Sequence, residues 1–339
     1  MGELLEIASE AERDLWKNLR LGYTESQGHP LLRAAVLQHY AAESIEQVVV
    51  ASPGELNFVL MNVLLDATDH VITVGPCYQS LSEVVEAIGC AVSFWQPDPG
   101  NWTFDPAQLA TLVQPNTKLL ILNFPHNPTG AYLSRPQLDA VLDFARAHGL
   151  YVFSDEMYRE LVVGAVKPLP PASDLYEKAI SLWGTSKTFG LAGLRIGWLV
   201  SQDTDLLAQI VAFKDYLSIC SSAPSEILSL IALNHLDHFL QPNLAKIKTN
   251  VALFETFVNQ HDLFSGFIPP FAGSTAFVPL NISTSARAFS DRLVTETGIM
   301  TVPSDMFGYE GKYIRVGFGR ANFEAILEAL GKWSRENDY

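Results

Sequence analysis

The sequence predicts an α/β protein with a mostly parallel sheet flanked by helices, followed by a smaller α+β unit. Short apolar runs rich in β-branched residues alternate with amphipathic stretches through the first two thirds of the 339 residues. The C-terminal part instead mixes strand-like and helix-like segments. We therefore expect a large domain over 21–250 and a small domain formed by 1–20 and 251–339.

The predicted elements follow one another with short connections. The strands are expected at 48–52, 70–74, 91–95, 118–123, 150–155, 179–183 and 196–201. Helical spacing lies between them at 55–65, 78–88, 105–113 and 134–147. The pattern is helical from about 203 to 260, and the last elements are strands 275–280 and 313–318 and helices 286–297 and 322–335. Strands that alternate with helices in this way are typical of parallel sheets.

The composition indicates a globular protein without nucleic-acid or membrane partners. Apolar residues make up 48% and charged residues 17%, and the net charge is −15, whereas a phosphate backbone requires a basic face. No apolar run is long enough to span a bilayer, and the first twenty residues have no signal core. Cys77, Cys90 and Cys220 are too few and too scattered for a disulfide framework or a zinc site, and the pair His235 and His238 has no apparent third ligand. We expect a soluble, cytoplasmic protein with no metal.

Lys187 is the first candidate for chemistry. It lies in GTSKTFGLAGLRIG (184–197), between two apolar runs that are predicted strands. A lysine at the end of a buried strand loses hydration, which favours the neutral amine that forms Schiff bases with carbonyl compounds. A lysine in an ordinary surface turn would have no such property. The other motifs of the chain must therefore decide whether Lys187 is a reactive amine or an ordinary surface residue.

Polar residues follow three of the predicted strands. Asn127 comes after strand 118–123, Asp155 closes the strand at 150–155, and Lys187 follows strand 179–183. Because ligands bind at the carboxyl ends of parallel strands, we expect one crevice to collect all three. Asp155 is followed by Glu156 and Tyr158; an aspartate here is often only a helix N-cap, but it could pair with a protonated ring nitrogen.

Other motifs are weak when taken singly. The glycine of SPGELN (52–57) begins a helix whose N–H groups could bind a phosphate, although a plain turn explains it equally well. Tyr78 either packs in the core or stacks on a flat heterocycle. Arg195 precedes a predicted strand, and Arg315 lies inside one. Each needs an anion, which is either a structural carboxylate or a ligand.

Together these motifs resemble the fold-type I pyridoxal-phosphate (PLP) enzymes, specifically the class I/II aminotransferases. The resemblance runs from about residue 21 to residue 335. The stretch at 184–197 agrees with the lysine signature of that family. NPTG, DEMY, PCY and YIRVGF follow the order of the family motifs, with similar spacing between them.

The resemblance implies a PLP-dependent aminotransferase, or transaminase, that interconverts an amino acid and its 2-oxo acid through a Lys187 aldimine. Lys187, Asp155 and Tyr78 would be the catalytic residues: base, partner of the ring nitrogen and stacking partner of the ring. The further cofactor-binding residues that it implies are Gly54, Glu55, Leu56, Asn127, Tyr158, Ser186 and Arg195, with Tyr23 from a neighbouring subunit. Arg315, with Asn127, would bind the substrate carboxylate, and the active site would be shared across a homodimer.

Departures from the family leave a second class of reaction open. The segment ahead of Tyr23 is shorter than in most relatives, and Gly184 stands where many have a phosphate-binding serine. Residues 214–226 contain no arginine for a dicarboxylate side chain, whereas Asp215 would favour a basic one. The alternative is a PLP-dependent lyase, cyclase or oxidase of specialised amino-acid metabolism. A regulator with an aminotransferase-like domain is a third hypothesis; an intact Lys187 and the short N-terminus argue against it.

Overall fold

The structure, a computed structural model, describes residues 1–164 and 167–337. Its strands in chain order are β1 (Val48–Ala51), β2 (His70–Val74), β3 (Ala91–Trp95), β4 (Thr117–Asn123), β5 (Tyr151–Asp155), β6 (Ala179–Gly184), β7 (Gly197–Ser201), β8 (Thr275–Pro279), β9 (Val302–Pro303) and β10 (Tyr313–Gly317). Its α-helices are α1 (Gly2–Ile7), α2 (Glu10–Lys17), α3 (Pro30–Leu37), α4 (Pro53–Leu64), α5 (Glu83–Ile88), α6 (Leu109–Leu112), α7 (Arg135–His148), α8 (Ala172–Leu175), α9 (Thr204–Lys214), α10 (Ala223–Asn234), α11 (Leu236–Val258), α12 (Ala286–Thr297) and α13 (Phe323–Glu336).

The first seven strands form one sheet in the order β1-β7-β6-β5-β4-β2-β3. The pairs among β2 to β6 are parallel, whereas β7 is antiparallel to both of its neighbours, β6 and β1. The residues that precede β7 therefore lie at the same edge of the sheet as the residues that follow β1, β4, β5 and β6. This edge carries the candidate site.

Both faces of the large sheet are covered, as the sequence predicts. In β4, Leu119 and Ile121 join one apolar cluster with residues of α4 and α9, while Leu120 and Leu122 join another with residues of α7. Successive side chains of a strand point to opposite faces, so a strand buried on both sides is apolar throughout. The predicted mostly parallel sheet between helical layers is confirmed.

The remaining strands form a small antiparallel sheet in the order β8-β10-β9. The aromatic ring of Phe254 in α11 packs edge-on against Phe318, which follows β10, and against Phe323 at the start of α13. The predicted α+β unit is therefore present. The division of the chain into 21–250 and 1–20 with 251–339 stays a prediction, and its residues 338–339 lie outside the described part.

The N-terminal helices pack differently from that predicted grouping. α1 and α2 lie on α10, and Leu4 and Ala8 join the apolar cluster of β1, β7, α3 and α10. The carboxylate of Glu12 in α2 accepts a hydrogen bond from Asn234 at 2.8 Å. These apolar side chains are thus buried against the helices of the large sheet, whereas the prediction groups residues 1–20 with the small unit.

The element bounds agree with prediction to within a few residues except in two helical segments. The predicted helix 78–88 begins as a 3-10 turn at Gln79–Leu81, where Ser82 N–H bonds to Gln79 O, and becomes α-helical only in α5. The segment 105–113 likewise opens with a 3-10 turn at Pro106–Gln108. The pattern did not predict α3, although Pro30 occupies its first turn, a position that suits proline.

Among the described residues, none of the helices has the length and apolar content that a membrane span requires.

Candidate active site

The candidate site lies at the edge where β1 and β4 to β6 end and β7 begins. α4 starts there after β1, Asn127 follows β4, Asp155 ends β5, and Lys187 follows β6. Because β7 runs in the opposite direction, its amino end lies at this edge, and Arg195, which precedes β7, lies there too. One antiparallel strand thus brings an arginine to a crevice that otherwise collects strand termini.

Lys187 lies three residues beyond β6, in a loop that is fixed on both sides. Thr185 N–H bonds to Ile196 O at 3.0 Å, and the Thr188 hydroxyl donates to Arg159 O at 2.6 Å. The lysine itself is exposed, with Nζ 5.8 Å from the centroid of the Tyr158 ring. The expected burial of Lys187 is therefore wrong: the flanking strand is buried, but the side chain projects into an open crevice.

Asp155 is a buried carboxylate next to this lysine. It is 5% exposed and accepts a hydrogen bond from Met157 N–H at 3.1 Å. Burial raises the pKa of the Asp155 carboxyl to about 6, although the Met157 N–H and the Lys187 ammonium act in the opposite direction. The carboxyl is therefore placed to pair with a cationic group that enters the crevice.

The Asn127 loop is tied to Asp155 by a residue that the sequence analysis missed. Asn123, the last residue of β4, accepts a hydrogen bond from Asn127 N–H at 3.0 Å and donates to Asp155 O at 3.2 Å. His126 is also buried, and burial lowers its pKa to about 3, so it is neutral at physiological pH. Asn123 could have been singled out as a polar residue closing an apolar run.

Arg315 and Arg195 have no carboxylate partner within residues 1–164 and 167–337. Arg315 donates from Nη1 to Asn127 Oδ1 at 3.0 Å and lies 5.4 Å from the centroid of the Phe307 ring. Arg195 is exposed, and its Nη1 donates to Ala192 O at 3.3 Å. The sequence left open whether each arginine pairs with a structural carboxylate or with a ligand. The structural carboxylate is not observed among the described residues, so both guanidinium groups are available to a ligand.

The start of α4 lies next to the start of β7, the strand that Arg195 precedes. A Cβ on Gly197 would lie 2.8 Å from Pro53 in α4, so the start of β7 and the start of that helix are in close contact. The Ser186 hydroxyl is buried and has no hydrogen-bond partner among the described residues. Leu56 N–H already donates to Ser52 O at 3.0 Å. Glu55 N–H donates to the Ser52 hydroxyl at 3.4 Å, so an anion at this helix end would meet Gly54 N–H most readily.

The two remaining predicted residues are exposed. Tyr78 is 44% exposed rather than packed in the core. Its loop is held by two hydrogen bonds, from Asn57 to Ser80 at 3.2 Å and from Cys77 N–H to Phe307 O at 3.1 Å. Tyr23 is 86% exposed. The structure therefore brings together Asn127, Asp155, Tyr158, Lys187 and Arg315 and leaves Tyr23 on the surface.

Comparison with known proteins identifies the family. Residues 2–330 match the family model described as "Aminotransferase class I and II". The chain belongs to the class I and II aminotransferase family. Proteins of this family depend on pyridoxal 5′-phosphate, which confirms the predicted family, the fold-type I architecture and the cofactor.

The named relatives of this aminotransferase-family chain differ in their reactions. It is 29% identical to capreomycidine synthase of Streptomyces vinaceus, over 91% of this chain and 81% of that protein. It is 28% identical to the arginine–pyruvate transaminase AruH of Pseudomonas aeruginosa, over 87% of this chain and 77% of the other. The solved structure of the PLP-dependent cyclase OrfR superimposes with a TM-score of 0.89 at 28% identity, covering 99% of this chain and 90% of that one.

The residues present fit pyridoxal 5′-phosphate. Asp155 is a buried carboxylate near Lys187. In the described chain, the buried Ser186 hydroxyl has no hydrogen-bond partner and the Arg195 guanidinium has no carboxylate partner. Gly184 has no room for a side chain, since a Cβ there would lie 2.7 Å from Gly197 Cα. No group of three or more His, Cys, Asp or Glu that could hold a metal ion occurs in the part that the structure describes.

Proposed function

We propose that this enzyme is an aminotransferase that interconverts an amino acid and its 2-oxo acid. The observation that carries the proposal is the arrangement around Lys187, which shares one crevice with the buried carboxylate of Asp155 and with Arg315. A lysine, a carboxylate and an unpaired arginine are the groups needed to move a proton, hold a cationic ring and bind a carboxylate.

The cofactor would be held at both ends. Asp155 would pair with the ring nitrogen, Asn127 and Tyr158 would hold the 3′ oxygen, and Tyr78 would cover a ring face. The phosphate would be bound by the first turn of α4, with Gly54, Glu55 and Leu56, and by Ser186 and Arg195 of the same subunit. Tyr23 of a second subunit would complete this phosphate site. When bound, the cofactor supplies an electron sink for charge that forms at the substrate α-carbon.

The protein's own side chains would then position the substrate and move its proton. Arg315 binds the substrate α-carboxylate in a two-point contact, while Asn127 fixes the orientation of the guanidinium through the 3.0 Å hydrogen bond. This contact directs the α-carbon toward Lys187, whose Nζ takes the α proton as a general base. The exposure of Lys187 leaves room for that approach.

The proposal includes a homodimer. Five exposed apolar side chains surround the end of α9, and we call them the apolar cluster: Tyr23, Phe58, Tyr216, Leu217 and Ile219. The Phe58 ring makes an edge contact with Phe213 of α9, and Ser26, three residues after Tyr23, donates a hydrogen bond to Ile219 O at 2.7 Å. Exposed apolar side chains in one region favour a protein–protein interface, and a second copy would bring Tyr23 to a neighbouring site.

A cytoplasmic location also belongs to the proposal. Cys77, Cys90 and Cys220 are all free thiols, and free thiols persist in a reducing compartment.

The second candidate function is a cyclase, lyase or oxidase that uses the same cofactor and site. It is favoured by the similarity to capreomycidine synthase and to the cyclase OrfR. A basic amino acid is the substrate class we favour for either reaction, since a transaminase of arginine is also a relative and Asp215 carries an exposed carboxylate directly after α9. One oxygen of that carboxylate accepts a hydrogen bond from Ser26.

The visible absorbance of purified protein tests this function. We expect a cofactor band that is lost in Lys187→Ala and retained in Lys178→Ala, a lysine at the opposite edge of the sheet that donates to Gly149 O at 3.1 Å. An amino acid from a panel with arginine and ornithine should then bleach the band, and a 2-oxo acid should restore it. No band after incubation with the cofactor would refute the proposal. Release of ammonia, or a cyclised product without a 2-oxo acid, would favour the second candidate.

A further inference from the structure

Lys214, at the end of α9, is a fully buried lysine that the proposed reaction does not use. Its Nζ donates to Ser26 O at 2.9 Å and to Ile219 O at 2.8 Å. Burial lowers the pKa of Lys214, while the nearby carboxylates of Glu55 and Glu226 act in the opposite direction. Because burying an ammonium is costly, the contacts that it makes are expected to serve a purpose other than packing.

One of these contacts fixes residues 22–29, which we call the tyrosine segment because it carries Tyr23. The single hydrogen of the Ser26 hydroxyl is shared between Ile219 O at 2.7 Å and the Asp215 carboxylate, and His29 N–H donates to Glu226 Oε2 at 3.2 Å. The tyrosine segment is therefore tied to α9 and α10 at two points, three and six residues after Tyr23.

The other contact fixes residues 214–219, which we call the Lys214 turn. Ile219 has a φ of 64°, in the left-handed region that β-branched residues rarely adopt. Its carbonyl accepts hydrogen bonds from both Lys214 Nζ and the Ser26 hydroxyl. Two donors on one carbonyl hold this conformation, and such backbone conformations are retained where the surroundings determine them.

The Lys214 turn also controls Glu55, an unfavourable neighbour for a phosphate at the start of α4. The Ser218 hydroxyl donates to Glu55 Oε1 at 2.6 Å. This hydrogen bond directs the carboxylate to the turn, while the N–H groups of the first helical turn remain directed along the helix axis.

We propose that the Lys214 turn positions the groups around the cofactor phosphate: Lys214 fixes the tyrosine segment that presents Tyr23 to the second subunit, and Ser218 holds the Glu55 carboxylate away from the phosphate of its own subunit. This inference rests on the proposed function, from which the roles of Tyr23 and of α4 are taken. Lys214 touches neither the cofactor nor the substrate and is a positioning residue.

The test compares two probes, pyridoxal 5′-phosphate and pyridoxal, titrated into full-length protein freed of cofactor. We expect Lys214→Met to weaken the affinity for pyridoxal 5′-phosphate about tenfold, the size expected for one lost hydrogen bond to a charged group. The affinity for pyridoxal should stay unchanged, since pyridoxal lacks the phosphate. Loss of the fold or of Lys187 would weaken both probes alike.

Two further variants keep the test decisive if Lys214→Met does not fold. Ser26→Ala and Ser218→Ala each remove one hydroxyl and should weaken binding of the phosphorylated probe only. The matched control is Lys312→Met, which removes a lysine that donates to Ile282 O at 2.6 Å and to Ser283 O at 3.1 Å in the small unit. It should bind both probes as the wild type does.

A double variant separates positioning from an independent effect. Tyr23→Phe should cause a similar phosphate-specific loss, and adding Lys214→Met to it should cause little more, because both changes remove the same contact. Fully additive losses, or equal weakening of the two probes, would overturn the inference. If Tyr23→Phe has no effect while Lys187→Ala still abolishes the cofactor band, the inference fails and the proposed function stands; persistence of the band in Lys187→Ala would refute the function itself.

Discussion

At the scale of single residues, burial determines the properties of Asp155. The carboxyl is 5% exposed, and its pKa is raised to about 6 by that burial, with only partial opposition from Met157 N–H and Lys187. A protonated ring nitrogen beside it would stabilise the carboxylate, and the carboxylate would in turn keep that nitrogen protonated. Ionisation of Asp155 and binding of a cationic ring are therefore coupled.

The pKa of Asp155 leads to a prediction about stability without cofactor. In the folded chain the carboxyl keeps its proton from its ordinary value of 3.8 up to about 6, where the unfolded chain has already lost it. Its contribution to stability is thus fully present below pH 3.8 and is lost as the pH rises to about 6. Asp155→Asn should remove this loss, so that between pH 4 and 6.5 the melting temperature of the variant gains on that of the wild type.

Thermal unfolding of the cofactor-free proteins at half-unit pH steps measures this difference. Other titrating groups are common to both proteins and cancel in the comparison. Parallel curves for the two proteins over this range would contradict the raised pKa.

At the scale of elements, the pairing of β6 with β7 positions both the lysine loop and Arg195. Gly184 and Gly197 face each other in the antiparallel register, and a Cβ on Gly184 would lie 2.7 Å from Gly197 Cα and 2.8 Å from Ile196 O. The two strands can approach this closely only because neither residue carries a side chain. Position 184 therefore has no room for a side chain in this chain.

Gly184→Ser should destabilise the protein by about 1–3 kcal/mol, the usual cost of inserting atoms into a packed site. The neighbouring atoms are backbone and must shift, which should also displace Lys187 and weaken cofactor binding. Gly193→Ser is the matched control, because a Cβ there meets nothing within 4 Å. Urea unfolding of both variants measures the difference, and equal midpoints would show that the strands can separate at no cost.

At the scale of the whole molecule, an exposed apolar surface adjoins the proposed phosphate site. Tyr216 is 90% exposed and Leu217 is 48% exposed, and both lie in the Lys214 turn, whose Ser218 bonds to Glu55 at the start of α4. The proposed dimer interface and the phosphate site thus share one structural unit. Subunit association and cofactor affinity are expected to change together.

Tyr216→Asp should convert the proposed dimer to a monomer, because a carboxylate in an apolar interface loses its hydration. It should also weaken cofactor binding, since Tyr23 would no longer reach a second subunit. Met300→Asp is the control, a change at a side chain that is 77% exposed in the small unit. Light scattering over a range of concentrations measures the molar mass. A dimer that persists in Tyr216→Asp would show that the apolar cluster is not the interface.

The elements that could be predicted are those whose signal is contiguous in the chain. β2 and β3 have the predicted bounds, because each is a short run of strand-forming residues between turns, and α12 matches its predicted helix. The 3-10 turn at Gln79–Leu81 was not distinguished from α-helix, since the two differ in hydrogen bonding rather than in apolar spacing.

The sequence by itself determined the family, the α/β architecture and the lysine loop, since these rest on contiguous motifs and local periodicity. Only the tertiary structure decided that Lys187 is exposed, that α1 and α2 pack on α10, and that Arg315 bonds to Asn127 across 188 positions of the chain. It also decided that Arg195 and Arg315 lack a carboxylate partner within the described residues. The physical reason is that burial and pairing depend on which distant segments come into contact, and local conformational preferences do not encode those contacts.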